Sequence, residues 1–570
     1  MQPTIDLSVP PGHCGDFYPG RSTEHSDSGH NGFGHEGLVD PSEVERGEGY
    51  YSTRPSLPQE LFPAAPPSCS PWVLSGGADD DLGQGPVSSH QPSPGNEEAM
   101  DHEHHLRQGT GQGSGRHVLL SGSETIEAST FKLDLEVPVV DQLHEYFSSI
   151  PEPDLSKAAQ SVQAQFFHSL KKLCEAYAAN PTSEILARIL ILPKLGLSSK
   201  LGVKSAPKAI RLMRALQDLT VSSLSASYCL ARAPPLPREE LAAKLIAKGN
   251  LGKAFRRLST NDSVPAVTPA VIAELERLQR PPGAPYQTGV GPPPLRVTPD
   301  MLKETLLTMN SSSAAGLSGW SAALLRTCDK HYHFRQFMML LLNSILAGDL
   351  PSGIASELLL ASSLFPLRKP SGKLRPIAIG EIFYRLAAKI AVRYGRVPGD
   401  LLPSQFGVGS VLGVEPVIHL IEKHLEDKDS VVLSEDLVNA YNTMPREEIY
   451  RELLAMGSPL VRFFLLTYGQ ASRLVVSCEG GEIALQFSAV GVRQGDPAAG
   501  LFFSYGMKRT MASLSRRLKT VNKAAQLAAY LDNLYILITV STIATTRASL
   551  AAVFNPSYST PALHPGKSEL

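Results

Sequence analysis

The sequence predicts an α+β fold, preceded by a helical region and by an N-terminal tail that is disordered. Three observations lead to this prediction: a change of charge and composition near residue 120, helical periodicity after residue 150, and short apolar strands beyond residue 360. We divide the chain into a tail (1–125), a helical N-terminal extension (126–290) and two further segments (291–430 and 431–570).

The tail is identified by its charge and composition. Residues 1–120 contain 5 arginines, no lysine and 17 acidic residues, whereas the rest of the chain contains 48 basic and 38 acidic residues. The tail is rich in Gly, Pro, Ser and His and lacks a sustained apolar period, so burial cannot offset the entropy lost on ordering it. Its histidines and Cys14 match no common zinc-binding spacing, and we interpret them as solvated side chains.

Composition also excludes several classes of protein. Six cysteines in 570 residues are too few for a disulfide-stabilised secreted scaffold. No apolar run reaches the ~18 residues that a membrane span needs. The N-terminus has neither the basic start nor the apolar segment of a signal peptide. We therefore expect an intracellular protein with no membrane partner.

Helical spacing broken by prolines characterises residues 130–310. Apolar residues recur every three or four positions over 153–180, and Pro181 ends the pattern. Thr268-Pro269 and Thr298-Pro299 are typical of helix N-termini. Between them, residues 280–294 (RPPGAPYQTGVGPPP) predict a linker. The extension is therefore predicted to be helical, with proline-rich breaks.

Two segments of the C-terminal part present an Asp beside apolar residues. The first, VVLSEDLVNAYN (431–442), predicts a buried strand that ends at Asp436, although Asp is also a common helix cap. In the second, apolar residues flank Asp532-Asn533, which predicts a tight hairpin turn, where Asp and Asn are ordinary residues. Either segment alone is explained by local structure without any catalytic role.

A third segment, GVRQGDP (491–497), predicts a loop that opens a helix. Gly491 and Gly495 permit an unusual turn or a close approach to a ligand, and the Gln494 side chain is able to hydrogen-bond a base or sugar. A plain loop before a helix is the alternative. In this order, however, the three segments are typical of a polymerase palm.

The chemistry of nucleotide transfer explains why a palm needs such carboxylates. Two Mg²⁺ ions about 4 Å apart activate the primer hydroxyl and stabilise the leaving pyrophosphate. Mg²⁺ prefers hard oxygen ligands and keeps waters and substrate phosphates in its shell. We predict that Asp436 and Asp532, from adjacent strands, hold such a pair of Mg²⁺ ions, with Mn²⁺ as an alternative.

The sequence resembles the reverse transcriptase of non-LTR (LINE-like) retrotransposons over about residues 135–570. LFPLRKPSGKLRPIAIGEIFYRLAAK (364–389) resembles the fingers of that family, and SSAAGLSGWSAALL (312–325) resembles the lead-in to it. DLVNAYN resembles motif A, GVRQGDPAAGLFF motif B, AYLDNL motif C and LHPGKSEL motif D. The resemblance implies a right-hand polymerase, with fingers over 291–430 and a palm over 431–570.

The resemblance implies a catalytic role for residues of motifs A and C. Asp436 and Asp532 match the metal ligands, and the backbone carbonyl of Leu437 assists them. Tyr441 matches the aromatic residue that stacks under the sugar and excludes a 2′-hydroxyl; a core tyrosine is the alternative.

The resemblance also implies substrate contacts in the fingers and motif B. Lys369 and Arg375 match positions that hold triphosphate oxygens, and Lys373 belongs to the same basic hairpin. Arg suits bidentate phosphate contacts. The alternative is an exposed basic hairpin that binds no ligand. Gln494 and Gly495 match residues that position the template or the nucleotide.

The sequence departs from the family in two ways. The second acid of motif C is replaced by Asn533, and the lost charge should weaken metal affinity. Glu435 is no substitute, because successive strand residues face opposite sides. Lys567 matches the motif D lysine that protonates pyrophosphate, but the chain ends three residues later, so we expect a C-terminally truncated copy without a thumb.

Two hypotheses from different classes follow. The first is an RNA-directed DNA polymerase that uses an RNA template, a DNA primer or target and dNTP, with activity strongly reduced or absent because of Asn533. The alternative is a catalytically inactive nucleic-acid-binding remnant of the same fold. An RNA-templated RNA polymerase is disfavoured by Tyr441, and an unrelated α/β scaffold by the ordered motifs. The resemblance alone predicts nuclear localisation.

Overall fold

The computed structural model describes most of the chain beyond the tail. The described residues are 128–134, 153–197, 206–221, 223–229, 238–247, 251–259, 265–279, 289, 291–311, 313–369, 371–396, 399–401, 403–409, 413–478, 483–554 and 561–564. The predicted disordered tail, most of the predicted linker and Lys567 lie outside these residues.

Helices and strands alternate irregularly along the described chain. The helices are α1 (Gln160–Ala179), α2 (Ser183–Leu197), α3 (Ala206–Gln217), α4 (Arg238–Ala247), α5 (Leu251–Ser259), α6 (Pro269–Leu278), α7 (Pro299–Thr308), α8 (Ala322–Cys328), α9 (Tyr332–Ala347), α10 (Ile354–Leu360), α11 (Ile382–Tyr394), α12 (Val414–His424), α13 (Ala440–Thr443), α14 (Arg446–Ala455), α15 (Val461–Tyr468), α16 (Ala499–Val521) and α17 (Ile543–Val553). The strands are β1 (Ala128–Asp134), β2 (Ser223–Cys229), β3 (Ser362–Arg368), β4 (Leu374–Gly380), β5 (Ser430–Asp436), β6 (Ser472–Ser477), β7 (Ile483–Ser488), β8 (Gln526–Tyr530) and β9 (Asn533–Thr539). This mixture confirms the predicted α+β class.

The helical extension buries the apolar residues that its periodicity predicts. Val162, Phe166, Leu170 and Tyr177 all lie on the buried face of α1. In addition, β1 and β2 pair antiparallel from Ala128–Cys229 to Asp134–Ser223, so the extension also contains a two-stranded sheet that the helical spacing did not predict. Neither strand carries a 3.6-residue apolar period, which is the signal that the prediction used.

Both predicted Thr-Pro helix starts are present. Thr268 caps α6 by accepting a hydrogen bond from the Val271 N–H, and Thr298 caps α7 by accepting one from the Met301 N–H. A proline in the first turn costs the helix no hydrogen bond, because an N–H group at that position has no partner within the helix. The local sequence therefore sets the position of both helices.

The basic hairpin β3–β4 belongs to a four-stranded sheet with the order β4-β3-β6-β7. Strands β6 and β7 follow residue 430 in the sequence and so belong to the predicted palm segment, and β6 runs parallel to β3. Helix α6 covers one face of this sheet through a small apolar cluster that includes Val271, Leu275, Leu364 and Leu474. Arg375, on the uncovered side of the hairpin, remains exposed. The sheet therefore holds the hairpin firmly while leaving its basic side chains accessible.

A second, three-stranded sheet has the order β5-β9-β8, and all of its strands are antiparallel. Leu433, Leu534 and Ile536 point from it into the main core. This sheet contains both acidic motifs of the C-terminal part.

Buried polar contacts anchor the lead-in block to the fingers. The Glu381 carboxylate, which starts α11, accepts hydrogen bonds from the Ser318 N–H at 2.7 Å and from its hydroxyl at 2.6 Å. Burial raises the pKa of Glu381, while the two bonds from Ser318 act in the opposite direction. Trp320 donates its indole N–H to the Ile189 carbonyl at 3.0 Å, which ties the block to α2. Among the described residues, no helix has the length and apolarity required to span a membrane.

Candidate active site

The two acidic motifs meet where β5 and β9 end. Strand β5 finishes at Asp436, as predicted, and Asp436 lies directly opposite Asn533, the first residue of β9. The His564 N–H donates to the Asp436 carbonyl at 2.8 Å from the other edge of β5. Asp436 and Asn533 therefore form a pair without mutual backbone hydrogen bonds, for which the Cα atoms lie about 4.5 Å apart and the side chains share one face.

Asp532 lies in the turn between β8 and β9. Because Tyr530 pairs with Asn533, the loop consists of Leu531 and Asp532 alone. The predicted turn at Asp532-Asn533 is thus displaced by one residue, and Asn533 belongs to the strand. Leu531 has a φ of 57°, in the left-handed region. A positive φ at the first loop position suits a hairpin turn, although glycine usually occupies it.

The electrostatic environment of Asp532 combines like and opposite charges. Burial raises the pKa of this carboxyl, and the neighbouring Asp436 raises it further. Arg375 and Lys369, from the basic hairpin, lower it. The predicted ligands Asp436 and Asp532 are therefore electrostatic neighbours, and the charges of two of the predicted triphosphate-binding residues act on Asp532.

Lys369 and Lys373 close the tip of the basic hairpin. The Lys369 N–H donates to the Lys373 carbonyl at 2.9 Å, and the Gly372 N–H donates to the Lys369 carbonyl at 2.9 Å. Lys373 is exposed, whereas Lys369 is half-buried. The tip therefore presents both lysines from a tight turn.

A segment near the C-terminus pairs with the chain just beyond Asp436. Leu437 bridges Leu563, and the Val438 N–H donates to the Ala562 carbonyl at 2.8 Å. Because the polar groups of successive strand residues alternate between the two edges, the Leu437 carbonyl lies on the edge that faces β9. This places it on the side of the Asp532 turn, as the predicted assisting ligand requires.

The donor set has the chemistry of a divalent hard-cation site with one carboxylate fewer than usual. Asp436, Asp532, the Leu437 carbonyl and the side-chain amide oxygen of Asn533 are all oxygen donors of the kind that Mg²⁺ prefers. The described residues contain no group of three or more His, Cys, Asp or Glu able to hold a metal. Asn533 stands where a third carboxylate would complete such a group.

Tyr441 lines the same region from α13. Its ring stacks on Phe503 with the centroids 4.9 Å apart and an angle of 12° between the planes. Burial raises the pKa of the Tyr441 hydroxyl, and the nearby Asp532 and Tyr530 raise it further. Tyr441 is half-buried, and its ring is fixed by packing on Phe503.

The loop 491–497 bonds both α13 and the four-stranded sheet. The Val492 N–H donates to the Tyr441 carbonyl, and the Ala378 N–H of β4 donates to the Gln494 carbonyl, both at 2.7 Å. Gly491 and Gly495 have φ angles of 68° and 100°.

Both glycines are required by close backbone contacts within the protein. A Cβ atom on Gly491 would lie 2.3 Å from the Tyr441 carbonyl oxygen, and one on Gly495 would lie 2.5 Å from that of Ala378. The close approach predicted for these glycines is therefore made to the chain's own backbone. Gln494 is half-buried and Gly495 is exposed.

A buried ionic network that the sequence analysis missed holds this loop. The Asp496 carboxylate pairs with Arg493 at 3.2 Å, accepts the Tyr468 hydroxyl at 2.5 Å and also accepts the Tyr384 hydroxyl. Its second oxygen accepts the Ala498 N–H at 2.9 Å, at the start of α16. Burial raises the pKa of both phenols, and Asp496 raises it further, so both remain donors. No local periodicity marks this network, since its two tyrosines lie 112 and 28 positions away from Asp496.

Replacing Asp496 by Ala should destabilise the protein strongly. It would leave Arg493 buried and uncompensated, which costs about 3–5 kcal/mol and should lower Tm by about 5–10 °C. Thermal denaturation followed by circular dichroism would measure this. Glu447→Ala is the matched control, because its pair with Arg451 is exposed and such pairs contribute about 0–1 kcal/mol. Equal losses for the two variants would contradict a structural role for the network.

Fold and site together define a class of protein. A basic hairpin in one sheet carries Arg375 and Lys369, whose charges act on Asp532 in the hairpin of another sheet, and a glycine loop bonds α13 and β4, which is the arrangement of fingers and palm in a right-hand polymerase. Residues 367–555 match the family model described as reverse transcriptase (RNA-dependent DNA polymerase). This part of the chain is therefore a reverse transcriptase domain.

A curated relative extends the comparison to mobile elements. The chain is 31% identical over 242 residues to the 132 kDa protein of the retrotransposable element SLACS from Trypanosoma brucei gambiense. The match covers 42% of this chain and 20% of the relative, so the chain spans about a fifth of that protein's length. The predicted resemblance to the reverse transcriptase of a non-LTR retrotransposon is confirmed.

Similarity to solved structures is low. Apo telomerase from Candida tropicalis, truncated from its C-terminal domain, is 13% identical with a TM-score of 0.29, covering 37% of this chain and 50% of that one. Telomerase from the same organism in complex with the TWJ fragment of telomeric RNA is 12% identical with a TM-score of 0.30, covering 37% of this chain and 41% of that one.

Proposed function

We propose that the chain is an RNA-directed DNA polymerase domain that transfers a nucleotide from dNTP to a primer 3′-hydroxyl, with a rate reduced by Asn533. The observation that carries the proposal is the strand register that pairs Asp436 with Asn533 beside Asp532. The positive charges of Arg375 and Lys369, which act on Asp532, support the proposal. A triphosphate bound between these side chains and the cations held by the carboxylate pair would have its negative charge neutralised from both sides.

Asp436, Asp532 and the Leu437 carbonyl would hold the divalent cation, and we propose two Mg²⁺ ions, with Mn²⁺ as an alternative. When bound, such ions lower the pKa of the attacking hydroxyl and stabilise the leaving oxygen. The chain's own contribution is to fix the ligands: β5 is held on both edges, by β9 and by the segment containing Leu563.

The substrate contacts follow from the basic hairpin and the glycine loop. Lys369, Lys373 and Arg375 would bind the triphosphate, and the guanidinium of Arg375 is suited to two parallel bonds with phosphate oxygens. Gln494 and Gly495 would position the template or nucleotide from the loop 491–497. Lys567, three residues after His564 in the sequence, remains the proposed proton donor to pyrophosphate.

Tyr441 would exclude a 2′-hydroxyl from the nucleotide site. Replacing Tyr441 by Ala removes the ring that stacks on Phe503 and opens space for the extra oxygen, so the preference for dNTP over rNTP should fall about 10–100-fold. Tyr441→Phe keeps the ring and should retain the preference. Steady-state incorporation of both nucleotide types by the Asn533→Asp protein would measure this. An unchanged preference in Tyr441→Ala would contradict the role.

We extend the proposal to partners and location. The polymerase would take an RNA template and a DNA primer or target, and it would act in the nucleus, as expected for a retroelement protein. Nuclear localisation rests on the family resemblance, and imaging of the tagged full chain would test it.

The second candidate is a catalytically inactive nucleic-acid-binding remnant of the same fold. The observation that favours it is Asn533, which removes a negative charge beside Asp436. Such a protein would bind RNA with an affinity that falls steeply with salt, and it would extend no primer.

Primer extension on an RNA template decides between the two candidates. With Mg²⁺ or Mn²⁺, the natural chain should extend slowly, and the Asp436→Asn/Asp532→Asn double variant should not extend at all. Equal extension by both would contradict the proposed metal ligands. Fast, complete cDNA synthesis by the natural chain would contradict the proposed effect of Asn533. RNA binding without extension, even after Asn533→Asp, would favour the remnant.

A further inference from the structure

A short segment outside both acidic motifs extends the three-stranded sheet beyond β8. The Ala529 N–H donates to the Ser404 carbonyl at 2.7 Å, and the Phe406 N–H donates to the Ala529 carbonyl at 2.8 Å. Gln405 thereby forms a parallel bridge with Ala529. The segment 403–409 is thus fixed beside the hairpin that carries Asp532.

The side chain of Gln405 is buried, with 4% of its surface exposed, and bonds the backbone of the hairpin loop. Its Oε1 accepts the Leu531 N–H at 2.8 Å, and its Nε2 donates to the Leu531 carbonyl at 3.1 Å. A third bond, from the Gly407 N–H to Oε1 at 2.9 Å, fixes the orientation of the amide. Every hydrogen bond of this amide therefore serves the loop or the segment itself.

These two bonds to Leu531 act on the peptides on either side of it. The N–H belongs to the peptide shared with Tyr530, and the carbonyl belongs to the peptide shared with Asp532. Leu531 has a φ of 57°, a conformation that side chains with a Cβ rarely adopt unless their surroundings hold them there. The direction in which Asp532 leaves the turn depends on this conformation.

Gly407 supplies independent evidence of a fitted contact. A Cβ atom at this position would lie 2.6 Å from the Leu531 nitrogen and 2.7 Å from its Cγ. A residue larger than glycine would displace the loop. The segment is therefore shaped to receive Leu531 as well as bonded to it.

We propose that Gln405 is a positioning residue for the active site, which holds Leu531 in its left-handed conformation and so directs Asp532 toward Asp436. The inference rests on the proposed function for its effect on catalysis. Gln405 itself need not touch substrate or metal, because it acts through the backbone of the loop.

Hydrogen exchange tests whether Gln405 holds Leu531, without relying on activity. Gln405→Met keeps a similar volume but removes all three bonds, so exchange of the Leu531 amide in the full chain should accelerate at least about tenfold. Gln486→Met is the matched control: Gln486, in β7 of the other sheet, is equally buried, and its Nε2 donates to the Ile272 carbonyl of α6 at 3.1 Å. Exchange in the hairpin should be unchanged by Gln486→Met. Equal exchange in both variants would overturn the proposal.

Kinetics then tests positioning against a general loss of structure. In the Asn533→Asp background, Gln405→Met should lower kcat about 100-fold, since misplacing a reacting group by about 1 Å has an effect of this size. The KM for dNTP should change less than about threefold, because the basic hairpin is untouched. The concentration of Mn²⁺ required for half-maximal binding, measured by electron paramagnetic resonance, should rise about tenfold.

A second variant supplies the rescue. Glycine adopts positive φ without strain, so Leu531→Gly added to Gln405→Met should restore kcat to within about tenfold of the Asn533→Asp parent. Failure of the rescue, with accelerated exchange only outside the hairpin, would overturn the proposal in favour of general destabilisation. An Asn533→Asp parent that neither binds Mn²⁺ nor extends a primer would overturn the proposed function alone. Hydrogen exchange would still decide whether Gln405 holds Leu531 in its conformation.

Discussion

Replacing Asn533 by Asp is expected to raise the rate of RNA-templated primer extension by about 10–100-fold. Asn533 lies opposite Asp436 on the face shared by the pair, one residue after Asp532. A carboxylate there adds a full negative charge to a residue whose Cα atom lies about 4.5 Å from the Cα atom of Asp436. A charged oxygen ligand binds Mg²⁺ more strongly than an amide oxygen does, so both metal affinity and turnover should increase.

The gain should be specific to this position. Asn533 is exposed, so the new carboxylate is introduced without burying a charge, and the fold should tolerate it. Asn310→Asp makes the same substitution at an exposed position after α7 and should leave the rate unchanged. Extension rates measured across Mg²⁺ concentrations would separate affinity from turnover. If Asn533→Asp is no faster than Asn310→Asp, the missing charge does not limit activity.

Replacing Asp532 by Asn in the Asn533→Asp protein should reduce extension by about a thousandfold or more, because one of the proposed metal ligands is lost. The same substitution should abolish the rise in Tm that Mg²⁺ gives by binding the folded state. A test of both effects needs only extension assays and thermal denaturation with and without Mg²⁺.

The effect of Asp532→Asn on the metal-free protein should have the opposite sign. Burial and the neighbouring Asp436 raise the pKa of Asp532, so the folded protein binds this proton more tightly than the unfolded chain does. The carboxyl therefore opposes folding increasingly as the pH rises through its raised pKa. In EDTA at neutral pH, Asp532→Asn should raise Tm, whereas Glu422→Gln, exposed on α12, should not. A lower Tm for Asp532→Asn would show that the carboxylate is structural.

Structural features that depend on only a few neighbouring residues were predictable from the sequence. The Thr-Pro caps of α6 and α7 depend on one side chain and the next few N–H groups, so their pattern carries the whole mechanism. The end of β5 at Asp436 follows from the apolar run before it. The error at the second acidic motif has a local cause as well: the hairpin turn was expected at Asp532-Asn533, but Leu531 occupies the left-handed position that glycine or asparagine normally takes.

Residues that act through distant partners were not predictable in this way. Asp496 belongs to a recognisable motif, yet its bonds to Tyr384 and Tyr468 join positions far apart in the chain. Gln405 lies in a segment without a regular period, and its role depends on Leu531, 126 positions away. Neither side chain leaves a periodic or spacing signal, because a hydrogen bond constrains only the two groups that make it.

The sequence by itself determined the α+β class, the helix starts, the strand that delivers Asp436 and the substitution at Asn533. Each of these depends on neighbouring residues, whose chemistry is visible in the order of letters. Only the tertiary structure decided that Asp436 pairs with Asn533, that the charges of Arg375 and Lys369 act on Asp532, and that Gln405 hydrogen-bonds Leu531 in the loop between β8 and β9. These are interactions between remote segments, and the packing of the whole fold, rather than any local preference, brings those segments together.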